Sequence, residues 1–252
     1  MPNETLPADL VDALRSARSI AALTGAGVSA ESGIATFRDA QTGHWAKHDP
    51  MQLASPEGFA RDPALIWRWY AERRRMIAAS RPNPAHVAIA RIQGLVQSFT
   101  LVTQNVDGFH ALAGSQGVLE LHGSIQRDIC SITRKSIDPD WIERHADAAP
   151  PPSPHHSDGL ARPDVVWFGE TLDEGVLTAA FEAASACDLM IVAGTAGAVQ
   201  PAASLPLVAK RSGARVVDVN PDCTEISRIA DWHLPGRSGD WLPRLAAALH
   251  RR

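Results

Sequence analysis

Short apolar runs that stop at glycine or a polar residue recur along this chain, and helical stretches separate them. SIAALT (19–24) stops at GAGVSA, FTLVTQ (99–104) at NVDG, VLELHG (118–123) at serine, LMIVAG (189–194) at TAG, and ARVVDV (214–219) at NPD. Runs this short and this continuously apolar suit strands buried on both faces. Apolar residues at helical spacing fill 7–17, 64–79, 84–97, 173–186 and 201–211. Strands joined by helices must run parallel, because each return crosses over through the helix. The expected fold is therefore α/β: a Rossmann-like parallel sheet with helices on both faces, plus a smaller inserted lobe.

Two stretches break the alternation and supply that lobe. Residues 36–63 are polar and rich in Gly, Pro, His and Trp, and 125–163 contain DAAPPPSPHHSDG, a string unfit for regular structure. The expected division assigns 1–35, 84–124 and 164–252 to the sheet domain, and 36–83 and 125–163 to the lobe. Disorder is the expectation for 145–158. A chain of 252 residues with 45% hydrophobic composition has room for such a core.

Composition also excludes partners. The net charge of −4 offers no basic field to nucleic acid. The longest apolar run, 189–199, falls far short of the ~20 residues that span a bilayer, so no membrane partner is expected. The first twenty residues lack an apolar signal core, and the three cysteines (Cys130, Cys187, Cys223) are far apart and never form CxxC. A reduced, cytoplasmic location is expected. Neither GxxxxGK[ST] nor HExxH occurs, which argues against P-loop and zinc-protease chemistry.

The strand ends carry the chemistry. GAGVSA (25–30) fits G-x-G-x-x-G/A directly after a strand. Gly25 and Gly27 would let backbone approach a pyrophosphate, and a helix N-terminus behind them would favour its charge. A plain glycine turn is the alternative. Thr195 and Asn220 stand at two later strand ends, where ligands of open α/β sheets bind, and suit phosphate and ribose. The acid usual at the end of the second strand is missing, which argues against a conventional dehydrogenase. Gln104, Asn105 and Asp107 put an amide pair and a carboxylate at one strand end, although a helix cap at 107–113 would use the same residues. His122 stands beside another strand end and is a candidate general base.

Six blocks extend this reading. GAGVSAESGIATFRD (25–39), TQNVDGFH (103–110), LHGS (121–124), RPDVVWFGE (162–170), GTAGAVQPA (194–202) and VDVNP (217–221) resemble, in order, the signature blocks of the sirtuins. Sirtuins are NAD-dependent protein-lysine deacylases. The resemblance implies NAD as cofactor and an acyl-lysine protein or peptide as partner. It places Gly25, Ala26 and Gly27 at the pyrophosphate, and Phe37 and Arg38 in a loop that shields the reacting ribose. Gln104, Asn105 and Asp107 would orient ribose and nicotinamide, and Gly194 and Thr195 would contact phosphate and ribose. Asn220 and Pro221 would hold the adenosine ribose, and Ser238 the adenine. Ala196 stands where serine is common, so one hydroxyl contact is lost. His122 would be the catalytic base, assisted by Asn105 and Asp107. Val166, Trp167, Phe168 and Gly169 belong to a block that resembles the strand pairing with the substrate backbone.

Two departures sharpen the resemblance. Tyr70 and Arg73 share a helix face at i, i+3 and resemble the subclass that removes succinyl, malonyl and glutaryl groups; the guanidinium could fork onto a carboxylate while the phenol donates a second hydrogen bond. The alternative is that Arg73-Arg74-Arg75 is a solvated basic face. Many sirtuins also carry zinc on two CxxC pairs. Here Cys130 keeps the first position, Thr133 takes the second, and counting back from 158–163 puts the second pair at Pro154 and Ser157. With one thiolate of four, no metal is expected, even with His155 and His156 nearby. Packing of Ile129, Ile132, Ile137, Trp141 and Ile142 would then hold the lobe. The competing functions are a sirtuin-like protein ADP-ribosyltransferase and a non-catalytic NAD or ADP-ribose sensor. Oligomeric state is left open.

Overall fold

The computed structural model describes residues 5–34 and 50–250. Its elements run α1 (Ala8–Ser16), β1 (Ser19–Thr24), α2 (Pro50–Leu53), α3 (Pro56–Arg61), α4 (Pro63–Ala79), α5 (Pro84–Gln93), β2 (Ser98–Thr103) and α6 (Phe109–Leu112). They continue with β3 (Leu119–Glu120), β4 (Gly123–Cys130), β5 (Ser136–Ile137), α7 (Pro139–Arg144), β6 (Ala161–Val165) and α8 (Glu174–Ala186). The last are β7 (Leu189–Ala193), α9 (Leu205–Arg211), β8 (Arg215–Asn220), α10 (Glu225–Ile229), β9 (Trp232–Pro235) and α11 (Ser238–His250).

Six strands form a parallel sheet in the order β3-β2-β1-β7-β8-β9. Alternate residues of β1 point to opposite faces and both sets are apolar. Ile20 and Ala22 join a core with Leu10 and Leu14 of α1, Ile89 of α5 and Leu245 of α11. Ala21 and Leu23 join a second core with Ala180 and Ala184 of α8 and Leu205 of α9. Helices therefore cover both faces, as the alternation of runs requires. The strand order reverses between β1 and β7, which makes their carboxyl ends a switch-point crevice.

A second sheet of three antiparallel strands, β5-β4-β6, stands beside α2–α4. Proline at the first helical position and a side-chain cap start both longer helices of this module: Ser55 Oγ accepts from Gly58 N, and Asp62 Oδ1 accepts from Leu65 N. Phe59, Ile66, Trp69, Tyr70 and Ile77 pack with Phe109, Ile125, Val165 and Trp167 into a separate core.

Several sequence expectations change. The run 118–123 is a strand only at Leu119–Glu120; Gly123 already begins β4 in the other sheet, so His122 sits where the chain passes between sheets. Among the described residues no α-helix directly follows GAGVSA. Two 3-10 turns, Ala26–Val28 and Ala30–Ser32, take its place. Strand β6 ends at Val165, and Phe168–Gly169 form a turn with Gly169 at φ +87°, so 166–169 is not strand. The proline-rich stretch is ordered: Ser153 N donates to Gly159 O, Ala161 N to Pro151 O, and Trp141 Nε1 to Pro152 O. Ile129 and Ile137 are buried and Trp141 and Ile142 partly so, but Ile132 is exposed and holds nothing.

Candidate active site

The crevice between β1 and β7 is built from glycine. Gly25 N donates to Ala193 O and Gly27 N to Gly194 O, pulling the two strand ends together. A Cβ on Gly27 would lie 2.8 Å from Gly194 Cα, and one on Gly25 would lie 2.7 Å from Thr195 Cβ. The glycines thus serve loop-to-strand approach, and their N–H groups are already engaged. Ala26, between them, is exposed. Thr195, Asn220 and Ser238 are buried around the same crevice, while Pro221 and Ala196 are exposed. Gln104 Nε2 donates to Thr195 Oγ1 at 2.9 Å, and Asn220 Nδ2 donates to Thr195 O at 3.2 Å. Asn220 also donates to Asp218, an acid on β8 that sequence reasoning passed over; burial raises its carboxyl above the usual value, against hydrogen bonds from Ser227 and Asn220. Phe37 and Arg38 lie outside the described residues.

Beneath Gln104 lies a buried polar cluster. Ser29 Oγ donates to Asp107 Oδ2 at 2.7 Å and accepts from Asn105 Nδ2 at 3.2 Å. Asp107 Oδ1 accepts from Phe109 N in a local turn, but the N-cap of α6 is Gly108, so neither Asn105 nor Asp107 caps that helix. His86 Nδ1 accepts from Asn83 N, which leaves the Nε2 proton facing Ser29 Oγ at 3.3 Å. Burial holds the His86 imidazole down to about 4, against the pull of Asp107. His110 packs edge-on to His86 with ring centroids 4.9 Å apart, and burial together with His86 lowers it to about 3. The Asn83-Pro84-Ala85-His86 string is a capping box, the one local signal of this cluster.

His122 carries the arrangement expected of a base. Its Nδ1 bonds to Gln104 O at 2.9 Å, and a carbonyl accepts only from a protonated nitrogen. Nε2 therefore keeps its lone pair. Burial lowers the imidazole below its ordinary value, opposed by that hydrogen bond, so the ring is neutral and ready to take a proton near neutral pH.

On the lobe side, the three arginines separate. Arg74 donates to Ile125 O and pairs with Asp128 at 2.6 Å, and Arg75 is exposed. Arg73 is half-buried with its guanidinium 5.1 Å from the Trp69 ring centre, and among the described residues it makes no ion pair. Tyr70, one turn earlier, is 3% exposed. Its hydroxyl accepts from Trp167 Nε1 at 2.9 Å. Trp167 is fixed in turn: Glu170 Oε2 accepts its backbone N–H, and the Arg162 guanidinium lies 3.3 Å from its ring centre. Arg162 forks onto both Glu170 oxygens at 2.6 and 2.9 Å. Neither Arg162 nor Glu170 was singled out in the sequence. Val166 N donates to His122 O and Phe168 N to Ala54 O, so this segment braces the histidine from the lobe side.

The metal-knuckle region has drifted by one residue from the sequence count. A Cβ on Gly159 would meet Cys130 Sγ at 2.9 Å, Ser153 Cβ at 3.1 Å and His156 Cβ at 3.2 Å. Ser153 and His156, rather than Pro154 and Ser157, converge on Cys130. Burial works to raise the Cys130 thiol, but hydrogen bonds from Ser153 and Thr133 outweigh it and bring it to about 7. His155 Nε2 meets Ser136 O. One thiol and one imidazole beside a serine hydroxyl fall short of the four Cys or His ligands of tetrahedral zinc, and no cluster of three metal-ligating side chains occurs among the described residues.

A glycine-tightened switch point, a buried Asn–Asp–Ser–His cluster and a free imidazole nitrogen facing a second lobe define a cofactor-dependent α/β enzyme class. Comparison names the family. The Sir2 family model matches residues 25–201, and the chain belongs to that family. It is 47% identical over 244 residues to an "NAD-dependent protein deacylase 2" of Pyrobaculum aerophilum, covering 97% of this chain and 96% of that one. It is 47% identical over 240 residues to an "NAD-dependent protein deacylase 1" of Pseudomonas aeruginosa, covering 94% and 96%. The crystal structure of a Sir2 homologue–NAD complex superposes with a TM-score of 0.89 at 39% identity, covering 98% of this chain and 95% of that chain. A Sir2–p53 peptide–NAD+ structure gives 0.83 at 31%, covering 94% and 96%.

Proposed function

We propose that this chain is an NAD-dependent protein-lysine deacylase that favours succinyl- and malonyl-type groups over acetyl, releasing nicotinamide and O-acyl-ADP-ribose. The names of its relatives support NAD-dependent deacylation. The acyl preference rests on one observation: Arg73 is a half-buried cation without an ion-pair partner among the described residues, one turn from a buried phenol. A desolvated guanidinium is costly without an anion, and a terminal acyl carboxylate supplies one with matching fork geometry.

In this reading Gly25, Ala26, Gly27, Gly194, Thr195, Asn220, Pro221 and Ser238 line the NAD crevice. Bound NAD supplies an electrophilic ribose carbon with nicotinamide as leaving group. Gln104, Asn105 and Asp107 orient that end, their side chains held by Ser29 and Thr195. His122 Nε2 accepts a ribose hydroxyl proton, while its Nδ1–H keeps donating to Gln104 O. The substrate peptide runs beside 166–169, and its acyl-lysine passes between His122 and the Tyr70/Arg73 pair. The free cysteines accord with a reduced, cytoplasmic setting.

The test is turnover of succinyl-, malonyl- and acetyl-lysine peptides with NAD, read as peptide mass and nicotinamide release. Arg73→Met should cut kcat/KM for the succinyl peptide by about 30-fold or more, with a much smaller loss for acetyl. Equal losses on both would remove the acyl assignment. Nicotinamide release without peptide deacylation would identify a transferase instead, and tight NAD binding without turnover a sensor.

A further inference from the structure

The hydrogen bond between Trp167 and Tyr70 has a direction. The indole N–H can only donate, so the phenol oxygen is the acceptor at 2.9 Å. A phenol proton prefers the ring plane, which offers it two positions. An N–H donor at one in-plane lone pair leaves the other position for the proton. Trp167 cannot turn away to release that choice. The Arg162 guanidinium caps its ring at 3.3 Å, Phe59 packs on it at 5.3 Å between centroids, and its backbone N–H is held by Glu170 at 2.8 Å. Arg162 is anchored by the same Glu170 and by Val165 O.

We propose that Trp167 is a specificity-determining positioning residue: by donating to the Tyr70 oxygen it obliges the phenol to present its proton to the far end of the acyl group. The inference deepens the dicarboxylic-acyl reading above and rests on it. An acyl chain ending in a carboxylate accepts that proton, whereas one ending in a methyl group leaves it without a partner. Burial pushes the Tyr70 hydroxyl up to about 12, so it remains a neutral donor at physiological pH. Phenylalanine at 167 would keep an aromatic ring under Arg162 but remove the donor, and the phenol proton would then be free to turn towards its other in-plane position.

The experiment compares kcat/KM for succinyl- and acetyl-lysine peptides in the wild type, Trp167→Phe, Tyr70→Phe and the double variant, with thermal melts alongside. Trp167→Phe should lower the succinyl-to-acetyl ratio about tenfold, the value of one charge-assisted hydrogen bond, chiefly through KM for the succinyl peptide. The double variant should match Tyr70→Phe alone, because the indole acts through the phenol. Replacing Trp167 with 3-benzothienylalanine keeps the bicyclic shape and removes only the N–H, so it should reproduce the loss even if the phenylalanine variant folds poorly. Equal losses on both substrates, or an undiminished Trp167 effect without the Tyr70 hydroxyl, would overturn the inference. A wild type with no succinyl preference would overturn the parent reading and this inference together. A wild type with a preference abolished by Arg73→Met but untouched at Trp167 would overturn this inference alone.

Discussion

The two sheets hold their functional residues by different means. In the six-stranded sheet the crevice is shaped by backbone meeting backbone, with Gly25 and Gly27 against the end of β7 and buried neutral histidines beneath. In the three-stranded lobe, ion pairs do the positioning: Arg162 with Glu170 beside Trp167, and Arg74 with Asp128 under α4. A backbone contact tolerates almost no side chain, while a side-chain clamp can be exchanged for another of different reach. The β1/β7 crevice is thus fixed by geometry, and the lobe face beside Tyr70 and Arg73 is adjustable by substitution.

Acid should separate the two regions most widely. His86 and His110 are held at about 4 and about 3 in the fold, below the ordinary histidine value. The unfolded chain therefore takes up protons first as pH falls. Their contribution is present above about pH 6.5 and is lost towards pH 4, by roughly 1.4 kcal/mol per pH unit for each histidine. Glu170 has the same sign but acts in a lower pH window. Burial would raise it, but hydrogen bonds from Arg162 and Trp167 outweigh that and hold its carboxyl below the usual value. Its stabilisation persists above the unfolded carboxylate pKa and fades only as pH falls through the lower folded value. Hydrogen exchange from pH 7 to 4 should show residues 83–110 losing protection before β4 and β6. The reverse order would break the contrast.

Glu170→Ala should come next, lowering stability by about 3–5 kcal/mol because Arg162 stays buried without its partner; urea melts measure it. Gly27→Ala should cost about 1–3 kcal/mol through the clash with Gly194 and weaken NAD binding in calorimetry, with the lobe's exchange pattern unchanged. Smallest of all, a chelator should leave Tm unchanged, and added zinc should not raise it. A melt that falls with the chelator would restore a metal to the lobe.

Much of the six-stranded sheet could be read in the sequence because the ends of β1, β2, β7 and β8 are marked locally by Gly, Thr, Asn or Asp. His122 was found this way. The Ser29–His86–Asp107 cluster was not, since its members lie on three separate elements and only the fold joins them. Arg162 and Glu170 were hidden for a similar reason: charged residues read as solvent-facing unless their burial is known. The knuckle register slipped at Ser153 and His156 because a proline-rich loop has no periodicity to count by. Ile132 looked like core by composition, but it follows the end of β4 and turns outward.

Tyr70 is the chain's only tyrosine. A protein grown on tyrosine labelled at Cζ alone would therefore yield a one-line NMR spectrum whose single signal comes from the proposed acyl pocket. That line should hold its position up to strongly alkaline pH, consistent with a hydroxyl pushed up to about 12. It should move when a succinylated peptide binds and move less with an acetylated one. Occupancy of the proposed pocket would then be read directly, without turnover and without an introduced probe.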